Sequence, residues 1–249
     1  MNHVRSKSKG EYIPPLENGD RLTREEFERR YNAMPHVKKA ELINGVVYIV
    51  AAENPNGVPG MSSPVNPTRH GSPHLLLGIW VGSYYVSTPG THGSDNGTLR
   101  FPSNRSVVQP DLFLRILPEC GGQTRTLKGG WVQGAPELAI EITASRANYD
   151  LHDKLDAYQR DGVREYIVWR VEEDAIDWFI LRRQTYEQLP PARDGILRSE
   201  SFPGLWLDAT AMIRGDHAEW KKVLQDGLAS PEHADFVARL QRRRTRKKR

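Results

Sequence analysis

The chain is poor in several things, and each shortage narrows what it can be. Its 249 residues include one cysteine, Cys120. An internal disulfide and a cysteine-rich zinc site are therefore excluded. A reduced, cytoplasmic protein is the plain expectation. No apolar run approaches the roughly 18 residues of a membrane span. The opening stretch MNHVRSKSKGEYIPP is basic with no apolar segment after it, so it does not read as a secretory signal. There is no GxxxxGK[ST] phosphate loop, no HExxH pair, no internal repeat and no heptad run. Acids are missing from the tail RRRTRKKR, which holds Arg242, Arg243, Arg244, Arg246, Lys247, Lys248 and Arg249. The formal net charge is +4, and without those seven cations the rest of the chain carries −3. The body is not globally basic, so affinity for nucleic acid would come from a local patch or from the tail. The tail reads either as a solvated end or as a phosphate-binding arm.

What is present suffices for a core: 38% of residues are hydrophobic and 27% charged. Residues 1–18 read as a flexible lead, 19–212 as one domain, and 213–249 as a helical extension ending in the basic tail. LTREEFERRYNAM reads as a helix with Thr23 as N-cap and Glu26 three residues on. KAELINGVVYIV reads as strands turning at Asn44-Gly45. Residues 51–69, rich in Pro, Gly, Asn and Ser, read as a loop. SPHLLLGIWVGSYYVS reads as an apolar helix with Ser72 as N-cap and Pro73 at its first position. SDNGTLRFPSNRSVVQPDLFLRIL supplies a short strand and a longer one starting near Val107, and PECGGQTRTLKGGWVQG reads as a glycine-rich connection. PELAIEITAS is a strand, NYDLHDKLDAYQRDG a helix closed by Gly162, and VREYIVWRV and AIDWFILRR are strands. A short strand and helical turn follow, then a helix pair broken near Ser230-Pro231. Helices and strands interleave, which predicts an α/β or α+β fold around a mixed sheet flanked by helices.

The chemistry concentrates around PELAIEITAS. Leu138, Ile140 and Ile142 share one face of that strand, while Glu137, Ala139, Glu141 and Thr143 share the other. A carboxylate in the middle of so apolar a strand needs something to keep it charged. On the following helix Leu151, Leu155 and Tyr158 form a core-facing stripe, and Lys154 falls within it. A lysine buried alone would cost several kcal/mol, so it needs a partner. Glu141 can be that partner. Upstream, Asp111 follows Pro110 at the head of another apolar strand. If the two strands are neighbours, Asp111 and Glu141 lie side by side, and two adjacent carboxylates repel unless a cation sits between them. Hard oxygen ligands of this kind suit Mg²⁺ or Mn²⁺.

Proline-aspartate, a strand glutamate and a nearby lysine together resemble the PD-(D/E)XK nuclease superfamily. ELINGVV, QPDLFL, PELAIEITAS, D-x-x-x-K-x-x-x-Y and GVREYIVW, in this order, resemble more narrowly the Uma-two family of restriction-endonuclease-like proteins, over roughly residues 22 to 210. The resemblance implies a restriction-endonuclease-like fold and a metal-dependent phosphodiesterase acting on nucleic acid, DNA first. It implies that Asp111, Glu141 and the carbonyl of Ile142 hold Mg²⁺, with Mn²⁺ as substitute. Lys154 would be the catalytic lysine, displaced onto the helix because Thr143 occupies its usual place. Glu41 matches a further acidic position, and Tyr158 is either an accessory residue or a core aromatic. Two departures from the pattern are Glu137, where aspartate is frequent, and ITAS, where a Ser-Pro-Ser-like turn is usual. By analogy with nucleases that cut both strands, a homodimer is expected.

Each residue also has a plainer reading. Asp111 can end a strand. Glu141 can be a salt-bridge partner of Lys154. Glu41 can be an exposed strand residue, and Asp150 and Asp153 can serve a helix N-terminus. His70 and His74 have zinc-compatible spacing but no third ligand, so a helix-end role fits them. Arg125, Lys128 and Trp131 can grip a phosphate backbone and stack a base, or belong to a solvated loop. The alternatives to a nuclease are a non-catalytic nucleic-acid-binding or regulatory module on the same fold, and a structural self-association protein.

Overall fold

The computed structural model describes residues 12–49, 67–143 and 149–247. In chain order the elements are α1 (Arg24–Asn32), β1 (Ala40–Ile43), β2 (Val46–Ile49), α2 (Ser72–Ser87), β3 (Thr91–Asp95), β4 (Leu99–Arg100), β5 (Val107–Val108), β6 (Leu112–Ile116), β7 (Arg125–Thr126), β8 (Val132–Gln133), β9 (Leu138–Thr143), α3 (Tyr149–Asp161), β10 (Glu165–Arg170), β11 (Ala175–Arg182), β12 (Thr185–Gln188), β13 (Leu197–Arg198), β14 (Trp206–Leu207), α4 (Ala209–Arg214), α5 (His217–Leu228) and α6 (Pro231–Lys247). Among the described residues, no helix is long and apolar enough to cross a membrane.

The strands form two main sheets. One runs β2-β1-β5-β4-β8-β7 and the other β12-β11-β10-β9-β6-β3, while β13 and β14 make a small ribbon. The second sheet is mixed: β9 runs parallel to β10 and antiparallel to β6. A parallel neighbour requires a crossover, and α3 supplies it. One face of this sheet, with Leu138, Ile140 and Ile142, packs against Trp80 and Tyr84 of α2 and against Trp220, Phe236 and Leu240 of the carboxy-terminal helices. The other face contributes Phe113, Ala139 and Tyr166 to a core shared with Leu99 and Val108 of the first sheet and with Ala157 and Tyr158 of α3. The outer face of the first sheet buries Leu42 and Val47 with Phe27 of α1.

Local chemistry explains most of the elements. Thr23 Oγ1 accepts from Glu26 N, as the capping pattern requires. Asn44 and Gly45 both have positive φ, 56° and 83°, so β1 and β2 join in the tight turn that Asn-Gly favours. Gly162 closes α3 at φ 89°.

Several expectations need correction. The long strand from Val107 is two strands in different sheets: β5 ends at Val108, β6 begins at Leu112, and Pro110 and Asp111 carry the chain between them. Proline lacks the N–H that a continuing ladder would use. Ser72 is not the N-cap of α2, because a helical turn over Pro67–Gly71 precedes it and Gly71 is itself helical (φ −60°, ψ −48°). Residues 67–69 thus leave the expected loop, whose remainder, 51–66, lies outside the described residues. The glycine-rich connection contains β7 and β8. Of the lead expected to be flexible, residues 1–11 lie outside the described residues, but Leu16 is buried and Asn18 Oδ1 accepts from Ile49 N. The tail is helical as far as Lys247.

Candidate active site

Asp111 stands where the chain passes from the first sheet to the second. Its Oδ2 accepts from Ile142 N at 2.8 Å, which fixes it beside the end of β9. Glu141 precedes Ile142, and its side chain turns to the opposite face, toward α3. There Oε1 takes Lys154 Nζ at 3.0 Å and the Tyr158 hydroxyl at 2.8 Å. Glu41 enters from β1. Its Oε1 accepts from Gln109 N at 2.6 Å, and its Oε2 meets Lys154 Nζ at 2.9 Å. Four elements thus deliver five side chains to one place. Glu41, Asp111, Glu141 and Lys154 are all less than a tenth exposed.

Burial at this density is tolerable because the charges are paired. Lys154 loses hydration, which works against its charge, but Glu141 and Glu41 more than offset this and its pKa is raised. Glu141 is in the opposite position. Burial pushes its pKa up to about 7, and repulsion from Asp111 and Glu41 adds to that, while Lys154 pulls it down. Tyr158 is raised well above its ordinary range by burial and by the two glutamates, so it remains a hydrogen-bond donor.

The structure brings Asp111, Glu141, Lys154, Glu41 and Tyr158 together. It does not bring Arg125, Lys128 and Trp131 to them. Those lie on β7 and on its connection to β8, at the far edge of the first sheet from β1. Arg125 is tied to Gln133 Oε1, and the Trp131 ring lies under the Arg100 guanidinium at 4.9 Å. His74 Nε2 meets the carbonyl of Asp111 at 3.3 Å and Asp95 Oδ1 at 3.0 Å, and it stacks on His70. Asp153 accepts from the Tyr48 hydroxyl. Glu137 is wholly buried and accepts from Ile116 N and Gln123 N, which is a structural role.

One site residue escapes the sequence reading. Lys39 Nζ lies 3.5 Å from Asp111 Oδ1. Its signal was strand alternation, since Lys39 is two residues before Glu41 and shares its face.

Three carboxylates face two ammonium groups here, which leaves an excess of negative charge. Among the described residues no three His, Cys, Asp or Glu side chains form a closed metal cage. Asp111, Glu141 and the Ile142 carbonyl would offer two carboxylates and a backbone carbonyl, all hard oxygen donors. That fits Mg²⁺, which keeps several waters and takes one or two protein carboxylates.

The comparisons agree with this picture of the fold. A crystal structure titled as "a putative nuclease belonging to DUF820 from Anabaena variabilis ATCC 29413" superposes with a TM-score of 0.52 at 12% identity, covering 88% of this chain and 99% of that one. At that identity the likeness concerns the fold. No curated protein matches the chain. Residues 24–210 match the Uma2 family, whose description is "Putative restriction endonuclease". That match spans most of the chain and takes in every side chain of the buried cluster, and so the chain belongs to the Uma2 family.

Proposed function

We propose that the protein is a metal-dependent nuclease that hydrolyses phosphodiester bonds of nucleic acid, with DNA as the substrate. The observation that carries this reading is Lys154, buried with its ammonium between Glu41 at 2.9 Å and Glu141 at 3.0 Å. A lysine is seldom fixed so deeply unless its charge is needed there. Asp111, Glu141 and the carbonyl of Ile142 would hold Mg²⁺, or Mn²⁺ in its place. The bound ion would polarise the phosphoryl oxygen and lower the pKa of water.

The chain's own residues do the rest. Two N–H bonds of Lys154 are engaged by the glutamates, and the third, which has no partner among the described residues, would orient the attacking water. Its charge offsets the negative charge that grows on the phosphoryl oxygens. Glu41 holds Lys154 in place and is itself held by Gln109 N. Tyr158 donates to Glu141 and fixes its rotamer. In the reaction a water oxygen bonds to phosphorus, the bond from phosphorus to the leaving oxygen breaks, and the released proton ends on that oxygen. A homodimer would place two such sites on opposite strands.

The test is cleavage of a labelled panel of plasmid, linear duplex, single-stranded DNA, branched DNA and RNA, with Mg²⁺ or Mn²⁺. Wild type is compared with Asp111→Ala. Cutting that vanishes in the variant supports the assignment and identifies the substrate. Cutting that survives moves catalysis to other residues. Binding with no cutting in any arm replaces the enzyme with a binding module on the same fold.

A further inference from the structure

The last turns of α6 carry Arg242, Arg243, Arg244, Arg246 and Lys247 with no acid among them, and lie beyond the family match, which ends at residue 210. Sequence alone left them as a solvated end or an arm. The structure gives them a fixed place. Leu240 and Phe236 anchor the helix in the core. Past Leu240 the helix rides over the turn at Pro118–Cys120, where Lys247 Nζ donates to the Pro118 carbonyl at 3.3 Å. Gly121, at φ +92°, lies directly under the Arg243 side chain: a Cβ there would stand 2.5 Å from a guanidinium nitrogen and 3.0 Å from Cδ. Gly90 lies under the helix in the same way one step earlier, where an added Cβ would come within 3.2 Å of Leu240.

Arg243 and Lys247 therefore face the turn, and Arg239, Arg242 and Arg246 follow one side of the helix at i, i+3 and i+7, with the Arg239 guanidinium over the Phe236 ring at 5.0 Å. All three are exposed. Arg242 and Arg246 flank a shallow groove with Ala238, Gln241 and Thr245, and neither forms an ion pair among the described residues. At 1.5 Å per residue the row spans about 10 Å, with steps of ~5–6 Å. One DNA strand presents a phosphate every ~3.4 Å of helix axis, so a row of this length faces several phosphates of one strand, and its three long side chains can reach up to three of them. An anionic membrane is a poor match. Residues 241–247 include no apolar side chain to insert, and the apolar face of α6 is already used in the core.

We propose that the outer row of α6, Arg239, Arg242 and Arg246, is a second nucleic-acid contact that grips the phosphate backbone without reading bases and holds the duplex apart from the carboxylate site. The choice of nucleic acid over an acidic protein rests on the nuclease reading. The contact raises residence on any sequence and sets the salt dependence of binding.

The test is fluorescence anisotropy of a labelled DNA duplex with the full chain, in chelator so that nothing is cut, from low to physiological salt. Wild type is compared with Arg242→Ala/Arg246→Ala. The control is Lys221→Ala/Lys222→Ala, which removes the same charge from exposed positions of α5. Thermal melts verify that each variant is folded. The arginine pair should weaken duplex binding by about tenfold at low salt and reduce the log–log salt slope by about two, since each lost phosphate contact accounts for ~0.9. The lysine control should do neither. Equal losses in both variants, or no loss in the arginine pair, would overturn the contact. So would unchanged duplex binding with lost binding to labelled polyglutamate, which would assign the row to an acidic protein. Cleavage by wild type is scored separately. A duplex contact in a protein that never cuts keeps this proposal and removes the nuclease, and the reverse result does the opposite.

Discussion

Glu137 stands just before β9 and Glu141 inside it, both buried, and they are held by opposite means. Glu137, at the entrance to β9, is met by two backbone amides, Ile116 N and Gln123 N, at 2.8 and 3.0 Å. Neutral donors fixed in the backbone satisfy it and leave nothing for a ligand. Glu141, near the exit, is met by the Lys154 ammonium and the Tyr158 hydroxyl, with Asp111 and Glu41 repelling it. Burial raises the pKa of both. The difference lies in what surrounds each group. Amides make a carboxylate part of the frame, whereas crowded like charges make it a place that attracts a cation. Burial of an acid is therefore weak evidence of function until its partners are named.

The contrast can be broken most forcefully by activity. Lys154→Ala or Asp111→Ala should lower the cleavage rate by ~10²–10³ or more, the scale of a lost electrostatic contact in a transition state. Glu137→Gln, assayed below its melting temperature, should stay within a few-fold of wild type. Equal losses in all three would erase the distinction.

Stability should rank the two glutamates the other way. Glu137→Ala strands two buried amides, at ~1–3 kcal/mol each. Chemical denaturation should show a loss of about 2–4 kcal/mol. Glu141→Gln removes a repelled charge and should cost less.

Metal binding sharpens the comparison further. Mn²⁺ at a hundredfold excess over its Kd should stabilise the native state by ~2.7 kcal/mol. For a chain of this size that corresponds to a rise in Tm of roughly 5–10 °C. The rise should persist in Glu137→Gln and disappear in Asp111→Ala and Glu141→Gln, as read by thermal melts.

The smallest expected effect is on the pH profile of the metal-free protein. Glu141 is raised in the fold from an ordinary 4.5 to about 7. The folded chain then holds this proton more tightly than the unfolded chain does. Its contribution to stability is full below pH 4.5 and drains away as pH climbs through 7. In chelator, Glu141→Gln should therefore flatten the decline in Tm across that window. An unchanged slope would show that Glu141 is not the titrating group.

The convergence of Asp111, Glu141 and Lys154 was legible because a strand, a helix and the approach to another strand each carried one charge against an apolar pattern. The hairpin at Asn44-Gly45 was legible from its turn chemistry. The break between β5 and β6 was not, because apolar alternation continues across Pro110 while the chain changes sheets, and that change is a tertiary event. The turn into β12 was hidden for another reason. Arg183 and Gln184 both adopt positive φ, 48° and 72°, without the glycine or asparagine that usually marks such a turn. Lys39 went unread because its partner, Asp111, is 72 residues away. Glu137 was misleading in its own way, since a strand pattern shows that a carboxylate is buried but not which amides receive it.

The crossing at Pro110 and Asp111 has a consequence for how such a chain matures. Asp111 lies just before β6 and reaches Ile142 N inside the second sheet, beside the β6–β9 pairing, whereas Glu41 arrives only when the first sheet docks. Glu41 comes from one sheet and Glu141 from the other. A nascent or half-melted chain therefore contains all the reactive side chains without the complete constellation. Any capacity to cut nucleic acid would be withheld until assembly is complete, and it would be surrendered at the first parting of the sheets, before the helices unravel.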